Sequence, residues 1–300
     1  MTEFERVKNL SVPSGNIDVV LDTDAYNEID DQFAIAYLLK SKEKLNTKAL
    51  YAAPFYNSRS KGPEDGMEKS YNEILKLLDL MDENVEVFKG SRRFLENEST
   101  PEVSPAAQDL AKRANEYSPE NPLYVVAIGA ITNVASAILL NPSIVNNIVV
   151  VWLGGHALHY HDTYEFNMKQ DVAAARIVMG SGVPFVQLPC QGVVSIFSFS
   201  ESDITKWFIG KNKLSTYLGE NVISYMSKNQ GFWSKTIWDV TAIAWLLNDD
   251  DRFMLSKLVA TSLPSYSHHY ELISTNHLMR YVYHIKKVEL MNDLIKKITE

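Results

Sequence analysis

The chain has 300 residues, 46% hydrophobic and 22% charged, the balance of an ordinary globular protein and enough to bury a large core. Its net charge of −8 argues against nucleic acid or an anionic membrane surface as partner. The single cysteine, Cys190, excludes an internal disulfide framework, and neither a signal segment at Met1-Thr2-Glu3-Phe4-Glu5-Arg6 nor a bilayer-length apolar run is present, so the expected location is cytoplasmic. Ile17-Asp18-Val19-Val20-Leu21 is short and rich in β-branched residues, which predicts a buried strand over 17–22. A helix over 31–43 follows, because Phe33 to Leu39 is an apolar run of good helix formers. A strand over 48–54 leads into a polar loop, 57–66, whose two glycines and proline predict an exposed, mobile segment. Next come a helix over 67–81, a short strand over 85–88, a helix over 105–116, a strand over 123–128 and a helix over 133–140. A strand over 148–153 ends in Gly154-Gly155, a helix covers 171–179, and a strand covers 183–188.

This alternation predicts an α/β fold, an open and mostly parallel sheet with helices on both faces. Beyond residue 200 the pattern turns helical, over 202–209, 213–228, 236–247 and 285–298. With no repeat, low-complexity tract or linker, the expectation is one domain over 1–300, with a helical C-terminal portion contributing to the site.

The first strand–helix junction concentrates charge. Asp22, Asp24, Asp30 and Asp31 crowd the end of a strand and the start of a helix, the crevice where open α/β sheets bind ligands. A helix N-terminus offsets one or two negative charges, but hardly four. Capping accounts for Asp30 and Asp31 alone, whereas Asp22 and Asp24, at i and i+2, leave the strand on the same side. Like charges so close stay protonated unless a cation joins them. Hard carboxylate oxygens favour Ca²⁺ or Mg²⁺ over zinc.

Other strand ends carry polar residues. Asn57 follows the second strand, and Gly129-Ala130-Ile131-Thr132-Asn133 follows the third, although Thr132 and Asn133 also suit a turn and helix cap. Glu165-Phe166-Asn167 precedes the helix near Asp171. Asp239 sits in an apolar helical stretch, where a lone acid is costly unless paired or metal-bound.

Taken in order, these motifs resemble the inosine/uridine-preferring nucleoside hydrolase family: Asp-x-Asp…Asp-Asp, an Asn after the second strand, Gly-x-x-Thr-Asn, Gly-Gly, Glu-Phe-Asn with Asp171 following, and a late Asp before an Ala-containing helix. The resemblance implies a Rossmann-like open sheet, a homodimer or homotetramer, and Ca²⁺-dependent hydrolysis of ribonucleosides to ribose and base. Asp24 would ligate Ca²⁺ and act as general base toward a metal-bound water. Asp31, Asp239 and the carbonyl of Ile128 would complete the protein ligands. Asp30, Asn57, Glu165 and Asn167 would hold the ribose, and Asp22 would support the ligands from behind.

Two features depart from the family pattern. Five residues, Ala25 to Ile29, separate Asp24 from the Asp pair where three are usual, and Trp238 stands where many members have the histidine that protonates the leaving base. An indole stacked on the base is one replacement; Tyr56, Phe232 and Trp233 are further candidates for an aromatic wall. His159, near a usual sugar contact, is another candidate acid. Two rival functions stay open: a nucleoside- or ribose-binding protein without turnover, and a haloacid-dehalogenase-type phosphatase suggested by Asp22-Thr23-Asp24. Tyr26 stands where the latter expects Thr or Val.

Overall fold

A computed structural model describes residues 1–229, 231–272 and 277–300. After a short helix α1 (Glu3–Lys8), strand β1 (Ile17–Thr23) leads to α2 (Asp31–Leu39), and β2 (Leu45–Ala52) to α3 (Pro63–Met81). Then come β3 (Glu86–Lys89), α4 (Pro105–Arg113), β4 (Leu123–Ala127), α5 (Thr132–Leu140) and β5 (Ile148–Leu153). A short α6 (Phe166–Gln170) and α7 (Val172–Gly180) precede β6 (Phe185–Leu188). The remainder comprises β7 (Ser198–Ser200), α8 (Glu201–Trp207), α9 (Lys213–Met226), β8 (Ser234–Thr236), α10 (Val240–Leu246), β9 (Met254–Ala260), β10 (Ser262–Pro264), β11 (Tyr270–Leu272), β12 (Leu278–Ile285) and α11 (Lys287–Thr299).

Eight strands form one sheet in the order β3-β2-β1-β4-β5-β6-β12-β9. Neighbours are parallel except for β9, which runs antiparallel to β12 at the edge. The side-chain period of two divides the core. Val19, Leu21, Val126, Val149 and Val151 pack toward α2 and α10, while Val20, Val125, Val150 and Trp152 pack toward α5 and α7. Both faces are covered, so the central strands read as continuous apolar runs rather than alternating ones.

The expected α/β architecture is present, with differences that follow from local chemistry. The helix expected from 67 begins at Pro63, whose fixed φ and missing N–H suit a first-turn position. Four of the ten residues of the loop expected to be exposed, Pro63 to Gly66, are therefore helical. Gly66 lies against the chain at Phe55, where a Cβ would come within 2.1 Å of the carbonyl oxygen. The largest difference is in the C-terminal part, which is not purely helical. Edge strand β9 has one buried residue, Met254, followed by half-buried and exposed ones, and β12 carries Arg280 and His284 among its apolar side chains, so neither shows the apolar run that marked the central strands. The helix expected over 236–247 starts only at Val240, because Ser234–Thr236 pairs antiparallel with Ser198–Ser200. No helix among the described residues is long and apolar enough to cross a membrane.

Candidate active site

β1 has β2 on one side and β4 on the other, so the chain order reverses between β1 and β4. The crevice beyond their C-terminal ends is the topological switch point of the sheet. Asp22 pairs with Ala127 across this seam, and the Ile128 N–H donates to the Asp22 carbonyl at 2.9 Å. The Asp22 carboxylate is wholly buried; Oδ1 accepts from Asn133 Nδ2 at 2.7 Å, and Oδ2 has no protein partner. Asn133 Oδ1 accepts in turn from the Ser91 N–H at 2.7 Å and the Ser91 hydroxyl at 2.8 Å. Asn133, which a turn or cap would have explained, is thus the donor behind Asp22.

Asp24 is also wholly buried, and neither of its carboxylate oxygens has a protein partner. It lies against the backbone at Gly129, where a Cβ would stand 3.0 Å from its Cγ. A side chain there would press on Asp24, which would have to give by a few tenths of an ångström. Asp31 opens α2 and accepts the Thr23 hydroxyl at 2.5 Å. Asp30 accepts the Trp238 N–H at 3.0 Å and lies 3.3 Å from the buried Lys235 ammonium. Asp239 stands at the N-terminal boundary of α10 rather than interrupting a helix, its carboxylate making no capping hydrogen bond, and is delivered there by the β7–β8 pairing.

Asp30, Asp31 and Asp239 each offer a carboxylate oxygen within 4.8 Å of the others. Burial, then the charges of Asp31 and Asp30, holds the Asp24 carboxyl well above the usual carboxylate range. Burial, then the charges of Asp30 and Asp31, does the same to Asp239. Burial, with Asp30 beside it, pushes Asp31 up to about 7, and burial alone pushes Asp22 up to about 7 against the Asn133 hydrogen bond. Four buried acids, of which Asp22 keeps one oxygen and Asp24 both oxygens without a protein partner, and one nearby ammonium that Glu28 also engages, are a donor set suited to a hard divalent cation. The residues fit that group.

A cavity of about 210 Å³ opens over the cluster, lined by Asp30, Asp31, Asp239, Ile128, Glu165 and Asn167. Glu165 accepts the N–H groups of Gly155, Asn167 and Met168, each at 2.9 Å, and caps α6. Burial still raises its carboxyl pKa against those three hydrogen bonds. Asn167 Nδ2 donates to the carbonyls of Ile128 at 3.1 Å and Leu153 at 3.0 Å, bracing the ends of β4 and β5. Asp171, by contrast, is structural: it caps α7 through the Ala174 N–H at 2.9 Å and accepts the Thr132 hydroxyl at 2.7 Å.

Trp238 lines this cavity beside Asp239, whereas His159 does not. His159 is exposed, its ring 5.3 Å from that of Tyr160, and His156 is the loop histidine at the cavity wall. Asn57 also stays outside and donates at 2.5 Å to Asn27 Oδ1, whose residue does line the cavity. Tyr56 and Phe232 point to solvent and Trp233 packs on the core. Tyr164, Asn27, Glu28 and Cys190 line the cavity without a local motif that marks them as site residues, and Phe166 lines it from within the Glu-Phe-Asn motif. The Cys190 thiol is buried, and burial with the Glu165 carboxylate holds its pKa well above the ordinary value, so it is an inert wall.

An open, largely parallel sheet with buried aspartates meeting at its switch point defines an α/β protein with a hard-cation, polyol-compatible site. The chain belongs to the inosine-uridine preferring nucleoside hydrolase family, whose family model matches residues 19–275. The pyrimidine-specific ribonucleoside hydrolase RihA of Salmonella schwarzengrund is 29% identical over 157 residues, 50% of this chain and 50% of that protein. The chain thus spans about half the length of the curated relatives it matches. Among solved structures, a plant nucleoside hydrolase superposes with a TM-score of 0.77 at 18% identity, covering 94% of this chain and 99% of that one. The purine-preferring ribonucleoside hydrolase from Gardnerella vaginalis gives 0.75 at 18% identity, covering 94% and 98%. These likenesses show the fold.

Proposed function

We propose that this chain hydrolyses the N-glycosidic bond of ribonucleosides to ribose and free base, with Ca²⁺ at its aspartate cluster. The observation that carries the reading is the meeting of Asp30, Asp31 and Asp239 within 4.8 Å, in a cavity that also presents Glu165 and Asn167. Asp24, Asp31 and Asp239, with the Ile128 carbonyl, would hold the cation, and Asp22 supports them through the Asn133 network. When bound, the cation supplies Lewis acidity toward water and an anchor for the ribose hydroxyls.

The chain's own groups do the rest. Asp24, with both oxygens free of protein partners, is the general base that takes the proton of the attacking water. The water oxygen bonds to C1′ while the electrons of the C1′–N bond leave with the base. Positive charge develops on the sugar ring, and Asp30 and Glu165 stabilise it while orienting the hydroxyls with Asn167. Trp238 packs against the departing base. RihA is described as pyrimidine-specific and the Gardnerella enzyme as purine-preferring, so a panel of both base classes belongs in the test.

The test is ribose release from purine and pyrimidine ribonucleosides, with Ca²⁺ and after chelation, beside Asp24→Asn. Release that needs the cation and falls at least about 100-fold in the variant is the expected result. Nucleoside binding without release from any substrate would overturn hydrolysis in favour of a binding protein.

A further inference from the structure

A second and larger cavity, about 760 Å³, lies beside the aspartate site between α2, α3 and α9. Its most buried polar residues are Gln32, 2% exposed, and Glu73, 7% exposed, beside the apolar Ile29. Glu73 accepts the Tyr217 hydroxyl and, at 3.4 Å, the Gln32 amide, while Gln32 Oε1 is a buried acceptor with no partner. The floor is therefore rich in acceptors. Tyr26, Tyr217 and Tyr225 line the sides, and Arg59, Lys76 and Lys228 complete the lining.

Three cations meet at this one cavity in a chain of net charge −8. Arg59, Lys76 and Lys228 take part in none of the ion pairs found among the described residues. Arg59 lies over Tyr26, 4.4 Å from the ring centroid, and Lys76 over Tyr217 at 4.3 Å. Cation–π contact is weak compensation at an exposed site; one Arg59 donor goes to the Glu28 carbonyl and Lys76 shares a hydrogen bond with Tyr217, and their remaining N–H donors are left for an anion. Aromatic walls suit a planar ring, because stacking is favourable for any base. Acceptors at the floor suit a ring with N–H edges.

We propose that this cavity binds a nucleoside monophosphate, its base packed on the tyrosines above Gln32 and Glu73 and its phosphate on Arg59, Lys76 and Lys228. The site is distinct from the aspartate cluster but touches it. Arg59 donates to the Glu28 carbonyl at 2.9 Å, and Asn57 holds Asn27, so the shared wall carries two residues of the first cavity.

The test is calorimetric titration with AMP and UMP in EDTA, with adenosine, uridine and inorganic phosphate as controls. The wild type, Lys76→Glu, Lys228→Glu and Asp31→Asn are compared, each checked for folding by thermal melting. The expected result is nucleotide binding that weakens at least about tenfold in each lysine variant and with added salt, and is unchanged in Asp31→Asn. Nucleosides and phosphate alone bind at least about tenfold more weakly than the nucleotide. The proposal is overturned if no nucleotide binds, if binding is lost in Asp31→Asn yet kept in the lysine variants, or if phosphate alone binds as tightly. Because the readout is binding without the cation, it stands or falls independently of hydrolysis.

Discussion

Lys235 lies 3.3 Å from Asp30 across 205 residues of chain, with side-chain exposures of 8% and 3%. The same ammonium bonds to Glu28, so one cation serves two carboxylates at the edge of a cluster that holds four more acids. Both acids and burial act on it, and the two carboxylates hold its pKa above the ordinary lysine value despite desolvation. Removing one member of a buried pair leaves the other charge uncompensated. Lys235→Met is therefore expected to lower stability by about 3 kcal/mol. Urea unfolding at neutral pH checks this, and a loss below about 1 kcal/mol would mean that water already solvates the pair.

The aspartate cluster predicts a pH dependence of stability with a definite sign. An unfolded aspartate titrates near 3.8, whereas Asp22 and Asp31 are pushed up to about 7 by burial. Between these values the folded protein binds protons that the unfolded chain has released. Stability of the cation-free protein therefore falls as pH rises from about 4 to about 7. The proposed Ca²⁺ would bind the ionised carboxylates, so its stabilising effect is expected to grow over the same window. Thermal melting in EDTA and in Ca²⁺ at pH 5.5 and 8 reads both trends. Equal melting temperatures at the two pH values in EDTA would contradict the burial of uncompensated acids.

Gly129 packs on Asp24 so closely that a methyl group must displace it. Gly129→Ala is expected to lower ribose release about tenfold, less than the roughly 100-fold loss that follows a misplacement of about 1 Å, because Asp24 has to give by only a few tenths of an ångström. The fold should tolerate a methyl group there better than the reaction does. Paired melting and steady-state assays separate the two effects. Activity within threefold of wild type would show that Asp24 shifts freely.

Trp238 lines the cavity next to Asp239, and a base–indole contact is worth about 1–3 kcal/mol. Trp238→Ala should lower kcat/KM by at least about tenfold, with Trp238→Phe retaining most of it. An equal loss in both variants would point to packing of the 237–239 backbone instead of contact with the base.

Much of the site is legible in the amino-acid sequence alone. Asp22, Asp24, Asp30 and Asp31 fall within ten residues, and their charge density by itself demands an explanation. Asp239 stands at the head of an apolar helix, where packing does not call for a polar group, and Glu165 and Asn167 flank Phe166 at the start of α6, marked by their place in the order of motifs. Lys235 and Glu28 carry no such signal, since a lysine and a glutamate in polar stretches ordinarily face water. His159 and His156 are three residues apart in one loop, and only the turn of the chain at Gly155 decides which faces the cavity.

The sequence by itself determined the alternating strands and helices, the buried apolar strands β1, β4 and β5, and the acidic junction at the end of the first of them. These are local properties: periodicity, β-branching and charge density act over a few residues. Tertiary structure alone decided that β9 and β12 extend the sheet, that β7 and β8 pair, and that Asp239, Trp238 and Lys235 arrive opposite Asp30. Edge strands and short ribbons carry weak local signals, and their pairing is set by which backbone donors and acceptors remain unsatisfied once the central strands have closed. The meeting of residues more than 200 apart is a property of the sheet order, and sheet order is written in contacts rather than in neighbours along the chain.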